Sequence, residues 1–174
     1  MEKTDDAPAK TVILDAGPLI HLDELGCLIL LADFQERIVP AAVWDEVERH
    51  RFSAFHSNTL TFIKLEPVRI SAALQTLYDA LNLDAGEREA LSLCEQYPHA
   101  ILLTDDAAVR LAAQTSGIRA YGTLGILIRA IRRQQLPPAD VVAILEHISS
   151  QSTLFIRKSM LREIIEKIKR EYKL

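Results

Sequence analysis

Two spacings of apolar residues alternate along this chain. Short continuous runs stand at residues 11–14 (TVIL), 37–39 (RIV), 100–104 (AILLT) and 118–121 (IRAY). Runs of this length between turn formers read as strands. A wholly apolar one, such as Ala100 to Thr104, is the pattern of a parallel strand covered on both faces. Residues 60–65 alternate and predict a further strand or a peripheral hairpin arm, closed by Pro67. Elsewhere the apolar residues recur every three or four positions, which is the helical spacing. Leu19, Ile20, Leu22 and Leu25 form one such face, ended by Gly26, and a second short helix is expected over 27–34. Val43, Trp44 and Val47 line the inner side of a helix behind Pro40. Further faces are Ala72, Leu74, Leu77, Tyr78 and Leu81, then Ala90, Leu91, Cys94 and Tyr97 in a helix opened by Asp84. Helices are also expected from Asp106 to Thr115, from Gly122 to about Gln135, over 139–149 and over 157–172. Strands alternating with helices in this way predict an α/β fold on a mainly parallel sheet.

Residues 1–10 are polar and predict a disordered lead-in, not a signal peptide. Residues 11–136 hold the alternating units and are expected to form one domain. Residues 137–174, opened by Pro137 and Pro138, are expected to be a helical extension packed on it. At 174 residues the chain can bury about two-thirds of its unfolded surface. The longest apolar run, residues 27–32, is far too short for a membrane span. Cys27 and Cys94 stand apart with no CxxC, so buried thiols and a cytoplasmic protein are expected. Aromatics are only 6% of residues, which argues against stacking platforms as the carrier of single-stranded nucleic-acid binding. The net charge of −4 argues against a polyanionic partner. Its distribution changes that picture. Residues 1–109 hold 19 acids and 8 bases, a balance of −11, and residues 110–174 hold 5 acids and 12 bases, a balance of +7.

Several of those acids fall where ligands bind in open α/β sheets, beyond the carboxyl ends of the strands. Asp15 ends the first run, and Asp105 and Asp106 end the run 100–104. Asp45 and Glu46 lie early in the helix behind Pro40, and Glu87 opens the helix after Asp84. Such a cluster calls for a positive charge among its members, and a hard divalent cation takes oxygen ligands. Helix capping is the competing explanation for each. Aspartate favours N-caps, and Asp84 and Glu87 have the spacing of a capping box. The histidines at 21, 50, 56, 99 and 147 show no ligand-like pairing, and Trp44 is expected in the core. There is no GxSxG, Walker loop or GxGxxG, which leaves acyl hydrolases, P-loop enzymes and Rossmann dehydrogenases unsupported. Gly17 stands two residues after Asp15, where an aspartyl-phosphate phosphatase needs an aspartate. Gly122-Thr123-Leu124-Gly125 could hold a phosphate at a helix start, or simply permit a tight turn.

Five segments, in order, resemble a PIN domain. They are Val12 to Leu22 (VILDAGPLIHL), Val39 to Val47 (VPAAVWDEV), Gly86 to Ala90 (GEREA), Leu103 to Arg110 (LTDDAAVR) and Ala120 to Leu127 (AYGTLGIL). The resemblance implies a small α/β/α sandwich, here with extra C-terminal helices. It also implies an Mg²⁺- or Mn²⁺-dependent endonuclease for single-stranded RNA, of the kind that serves as the toxin of a bacterial toxin–antitoxin pair. Carried over, the catalytic acids are Asp15, Glu46, Glu87, Asp105 and Asp106, with the metal held by Asp15, Glu46, Glu87 and one of the 105–106 pair. Glu89 could stand in for Glu87. Arg110, Arg129, Arg132 and Arg133 become candidate phosphate contacts. A homodimer and an antitoxin protein are the implied partners, with no membrane. Met160, Leu161, Ile164, Ile165 and Ile168 form a stripe that could complete the core, pair with a second subunit or accept an antitoxin helix. The alternative is a PIN-like interaction module without catalysis, and a metal-dependent phosphatase is a more distant third.

Overall fold

The computed structural model describes residues 11–56, 59–68 and 71–174. The lead-in expected at 1–10 lies outside the described residues. Five strands form one sheet: β1 (Thr11–Leu14), β2 (Glu36–Pro40), β3 (Ile63–Leu65), β4 (Ile101–Leu103) and β5 (Ala120–Tyr121). Their order in space is β3-β2-β1-β4-β5, and every neighbouring pair is parallel. Parallel neighbours need crossovers. These are supplied by α1 (Ala16–Glu24), a 3₁₀ turn over Leu28–Asp33, α2 (Ala41–His50), α3 (Ser53–His56), α4 (Ala72–Leu81), α5 (Ala85–Gln96) and α6 (Ala107–Thr115). After β5 come α7 (Thr123–Arg132), α8 (Pro138–Gln151) and α9 (Lys158–Tyr172).

The strands read as unbroken apolar runs because both of their faces are buried. Successive side chains point to opposite sides. Val12, Leu14, Val39, Ile101 and Leu103 therefore pack in one core with residues of α1, α2, α7 and α8. Ile13, Ile38 and Leu102 pack in the other with residues of α4, α5 and α6. The result is an α/β/α sandwich. Val141, Val142, Leu145 and Ile148 of α8 join the first core, and α9 adds the buried Ile168 with Leu161, Ile164 and Ile165 against it. Glu24, at the end of α1, accepts hydrogen bonds from Ser152 and Thr153 in the α8–α9 connection.

Three expectations change. The run 60–65 is no hairpin arm: only Ile63–Leu65 is a strand, and it runs parallel to β2. The run 118–121 shortens to the two residues of β5, after a turn in which Gly117 takes a left-handed φ of +70°. Trp44 is half-buried at the edge of the core. It stacks on Phe55 with ring centroids 4.0 Å apart and donates from Nε1 to Glu48. It follows Val43 directly, so it stands about 100° around the helix from the inward stripe of Val43 and Val47.

This topology fixes the place of the site. From β1 the chain passes to β2 and β3 on one side, then returns to β4 on the other. The reversal lies between β1 and β4, where connections diverge and leave a crevice beyond the carboxyl ends of the strands.

Candidate active site

Leu14 of β1, Leu103 of β4 and Tyr121 of β5 are in register across the sheet. The residues that follow them form the rim of the crevice. Asp15 is 8% exposed. Its backbone N–H donates to the carbonyl of Leu103 at 2.9 Å. Its Oδ1 accepts from the Ala16 N–H at 2.8 Å, and its Oδ2 accepts from the Thr104 hydroxyl at 2.7 Å. Burial pushes its carboxyl up to about 6, with the charges of Asp84 and Glu46 adding to the rise and the two hydrogen bonds opposing it. Glu46 is half-buried on α2, one and a half turns from its start.

Glu87 and Asp84 form a complete capping box at the start of α5. The Glu87 N–H donates to Asp84 Oδ1 at 2.9 Å, and the Asp84 N–H donates to Glu87 Oε2 at 2.9 Å. Burial pushes the Glu87 carboxyl up to about 7, and Asp84, Asp106 and Asp15 raise it further by repulsion. Asp106 caps α6, its Oδ1 accepting from the N–H groups of Ala108 at 2.7 Å and Val109 at 2.9 Å. The buried Thr104 hydroxyl that donates to Asp15 also accepts from the Asp106 N–H at 3.2 Å. Capping and clustering are thus both real here. The same carboxylates that start α1, α5 and α6 bring negative charge to one end of the sheet.

Asp105 differs from its neighbour. Its Oδ1 accepts from the Thr123 N–H at 2.8 Å, and its Oδ2 from the Thr123 hydroxyl at 2.6 Å. His21 of α1 meets the same Oδ2 through Nδ1 at 2.8 Å. Burial would raise this carboxyl, but His21 and Thr123 bring it below the usual carboxylate range. Asp105 therefore ties α1, β4 and α7 together. It also fills the N-terminus of α7, so the glycine turn there already holds an internal anion in place of a phosphate. Gly122 is needed for this contact: a Cβ would stand 2.5 Å from Asp105 Oδ1 and 3.3 Å from the Arg110 guanidinium.

The basic residues separate. Arg110 lies beside Gly122 at the rim, exposed, with no ion-pair partner among the described residues. Arg129 and Arg133 are engaged with Asp33 at 2.5 and 3.0 Å, and Arg129 also lies over the Phe34 ring. Arg132 is exposed near the far end of α7. Those three stand at the opposite end of α7 from Asp105. Glu89 accepts from the Ala42 N–H at 2.9 Å and caps α2, while Glu87 faces the other acids. Asp45 pairs with Lys64 at 2.6 Å on the surface.

Sequence reasoning missed Thr104, His21 and Thr123, and it gave Asp84 only a capping role. The histidines show no ligand-like pairing in the sequence, and in the fold His21 is bonded to Asp105 across 84 residues of chain. All three lie inside motif segments, His21 in VILDAGPLIHL, Thr104 in LTDDAAVR and Thr123 in AYGTLGIL, but nothing local joins them to Asp15 or Asp105.

The donor set suits a hard divalent cation in kind and in charge. It is all carboxylate oxygen, drawn from four elements, and two of its members are pushed well above their ordinary range by burial, with the neighbouring carboxylates adding to the rise. In the side-chain positions of the structure, no three acidic, histidine or cysteine groups among the described residues converge on one point to hold a metal ion. No helix among the described residues is long and apolar enough to cross a membrane.

A family model described as a PIN domain matches residues 11–170, which takes in α8 and nearly all of α9. No curated protein and no solved structure matches the chain.

Proposed function

The chain belongs to the PIN domain family, whose members are generally nucleases, and on that premise we propose that it is a metal-dependent endonuclease cutting phosphodiester bonds in single-stranded RNA. The observation that carries this reading is the carboxyl end of the sheet, where one buried hydroxyl, Thr104, joins Asp15 to the Asp106 backbone, and where burial raises the carboxyls of Asp15 and Glu87 while the charges of Glu46, Asp84 and Asp106 add to the rise. A stability-driven design would not gather them there.

In this reading Asp15, Glu46, Glu87 and Asp106 hold Mg²⁺ or Mn²⁺. When bound, the cation supplies Lewis acidity at the phosphate and lowers the pKa of water. The chain does the rest. Thr104 fixes the orientation of the Asp15 carboxylate and, through the Asp106 N–H, its distance from Asp106. Asp105, committed to His21 and Thr123, is a positioning residue that holds the β4 end against α1 and α7. Arg110, beside Gly122 and with no ion-pair partner among the described residues, would contact a phosphate of the substrate. Arg129 and Arg133 are assigned to the fold through Asp33. The role of toxin in a toxin–antitoxin pair, the antitoxin partner, the homodimer and the cytoplasmic location rest on the family resemblance, as sequence-based expectations.

The test is cleavage of a mixed RNA pool by wild type and by Asp15→Asn, purified side by side, with Mn²⁺, with Mg²⁺ and with chelator. Metal-dependent cleavage by wild type alone is expected. Equal cleavage by both proteins, or by neither with either metal, overturns the reading and leaves the non-catalytic interaction module in its place.

A further inference from the structure

Tyr121 is one of the few aromatic residues of this chain, and it ends β5, the edge strand beside β4. Its register partner is Leu103, and its carbonyl accepts from the Thr104 N–H at 2.9 Å. Its neighbour Ala120 packs against the core containing Leu102, so alternation turns Tyr121 to the α7 side. There the ring rests on the first turn of α7. A Cβ on Gly125 would stand 3.3 Å from Tyr121 Cβ and 3.6 Å from Cδ1. The glycine leaves room for the ring to lie against the helix backbone, and the residue remains 47% exposed. Arg110 stands beside Gly122, the next residue along.

The end of the sheet thus presents, strand by strand, the Asp15 carboxylate behind β1, the Thr104-Asp105-Asp106 segment behind β4, and at the end of β5 the Tyr121 ring, followed by Gly122 with the Arg110 guanidinium beside it. Adjacent strands are about 4.8 Å apart, so the backbone of β5 is one strand from β4, whose end leads to Asp106, and two from β1, whose end leads to Asp15. We propose that Tyr121 is a base-binding subsite of the nuclease: it stacks one nucleobase of single-stranded RNA beside the phosphate held at the carboxylate rim, while Arg110 contacts the adjoining backbone phosphate. The chemistry is general, since every base has a π-face and stacking tolerates sequence. One ring gives one subsite, in keeping with a chain too poor in aromatics for an extended platform. A tyrosine exposed for solubility alone would not need its inner side backed by a glycine in the first turn of the helix that Asp105 caps.

This inference rests on the nuclease reading above, and its test separates the two. Binding of a fluorescein-labelled oligouridylate is measured by anisotropy in the Asp15→Asn background, which blocks cutting. Tyr121→Ala is expected to weaken binding about tenfold. Tyr121→Phe keeps the ring and should stay within about twofold of the parent. An oligomer of the same length with abasic sites should bind the parent as weakly as the uridylate binds Tyr121→Ala, with no further loss in that variant. Melting temperatures within a few degrees of each other establish that the variants are folded. The inference is overturned if Tyr121→Ala binds as tightly as the parent, if Tyr121→Phe loses as much as Tyr121→Ala, or if the alanine variant loses equally on the abasic oligomer. If the Asp15→Asn parent binds no single-stranded RNA at all, the nuclease reading fails first and the subsite fails with it.

Discussion

Replacing Asp15 by asparagine should stabilise the metal-free protein while abolishing cleavage. The carboxyl of Asp15 is pushed from 3.8 to about 6 by burial and by the charges of Asp84 and Glu46. That rise corresponds to about 3 kcal/mol against the folded state once the group must ionise. Asparagine has nearly the same shape. Its carbonyl oxygen can accept from the Ala16 N–H, and the Thr104 hydroxyl can rotate to accept from the new amide N–H. The rise to about 6 is already net of these two bonds, which favour the ionised form, so nothing further is subtracted for them. The net gain is about 3 kcal/mol at pH 7.5, a rise in Tm of roughly 6–12 °C for a chain of this size. The gain must depend on pH. Between the ordinary carboxylate range and about 6 the folded state of wild type binds the extra proton, so wild-type stability falls as pH rises through that window. The advantage of Asp15→Asn should therefore be absent near pH 4 and complete above about pH 7. Thermal or urea unfolding in chelator, followed at four or five pH values, measures it. Saturating Mn²⁺ should close the gap by stabilising wild type more than the variant. A variant less stable than wild type at pH 7.5, or an advantage as large at pH 4 as at pH 7.5, refutes the electrostatic account of the rim.

The neighbouring aspartates should separate in the same assays. Asp105→Asn, which weakens the contacts to His21 and Thr123, should cost about 1–3 kcal/mol of stability. Asp106→Asn keeps an equally good helix cap and should stay within about 0.5 kcal/mol, yet lose cleavage. Gly122→Ala drives a Cβ toward Asp105 and should lower stability by about 1–3 kcal/mol in chemical denaturation. Gly17→Ala meets only ordinary contacts at 3.6 Å inside α1 and should be neutral or gain up to about 1 kcal/mol. In salt titrations of RNA binding, Arg110→Ala should reduce the slope by about 0.7, the share of one single-strand phosphate contact. Arg133→Ala should leave the slope unchanged, because its guanidinium is spent on Asp33.

The α/β fold was legible because each strand is buried on both sides and so reads as an unbroken apolar run, as with Ala100 to Thr104. Helix starts were legible for a related reason. Asp15, Asp84, Glu87 and Asp106 satisfy free N–H groups within a few residues of themselves, and such local bonds leave a local pattern. That legibility also obscured the site, since a capping aspartate and a metal-binding one look alike in a sequence.

The sequence by itself determined which segments become strands and helices, where each helix begins, and that the acids stand at the strand ends. Only the tertiary structure decided which acids share a field and which find a positive partner. The strand order β3-β2-β1-β4-β5 places β4 beside β1, and so puts Asp15 and Asp106 on one buried hydroxyl, Thr104, 89 positions from Asp15 in the chain. The same packing delivers His21 and Thr123 to Asp105 and leaves Asp106 without either. The reason is one of range. Propensity and capping act over a turn of chain, whereas desolvation and Coulomb repulsion act through space, between groups whose meeting is fixed by the order of strands in the sheet.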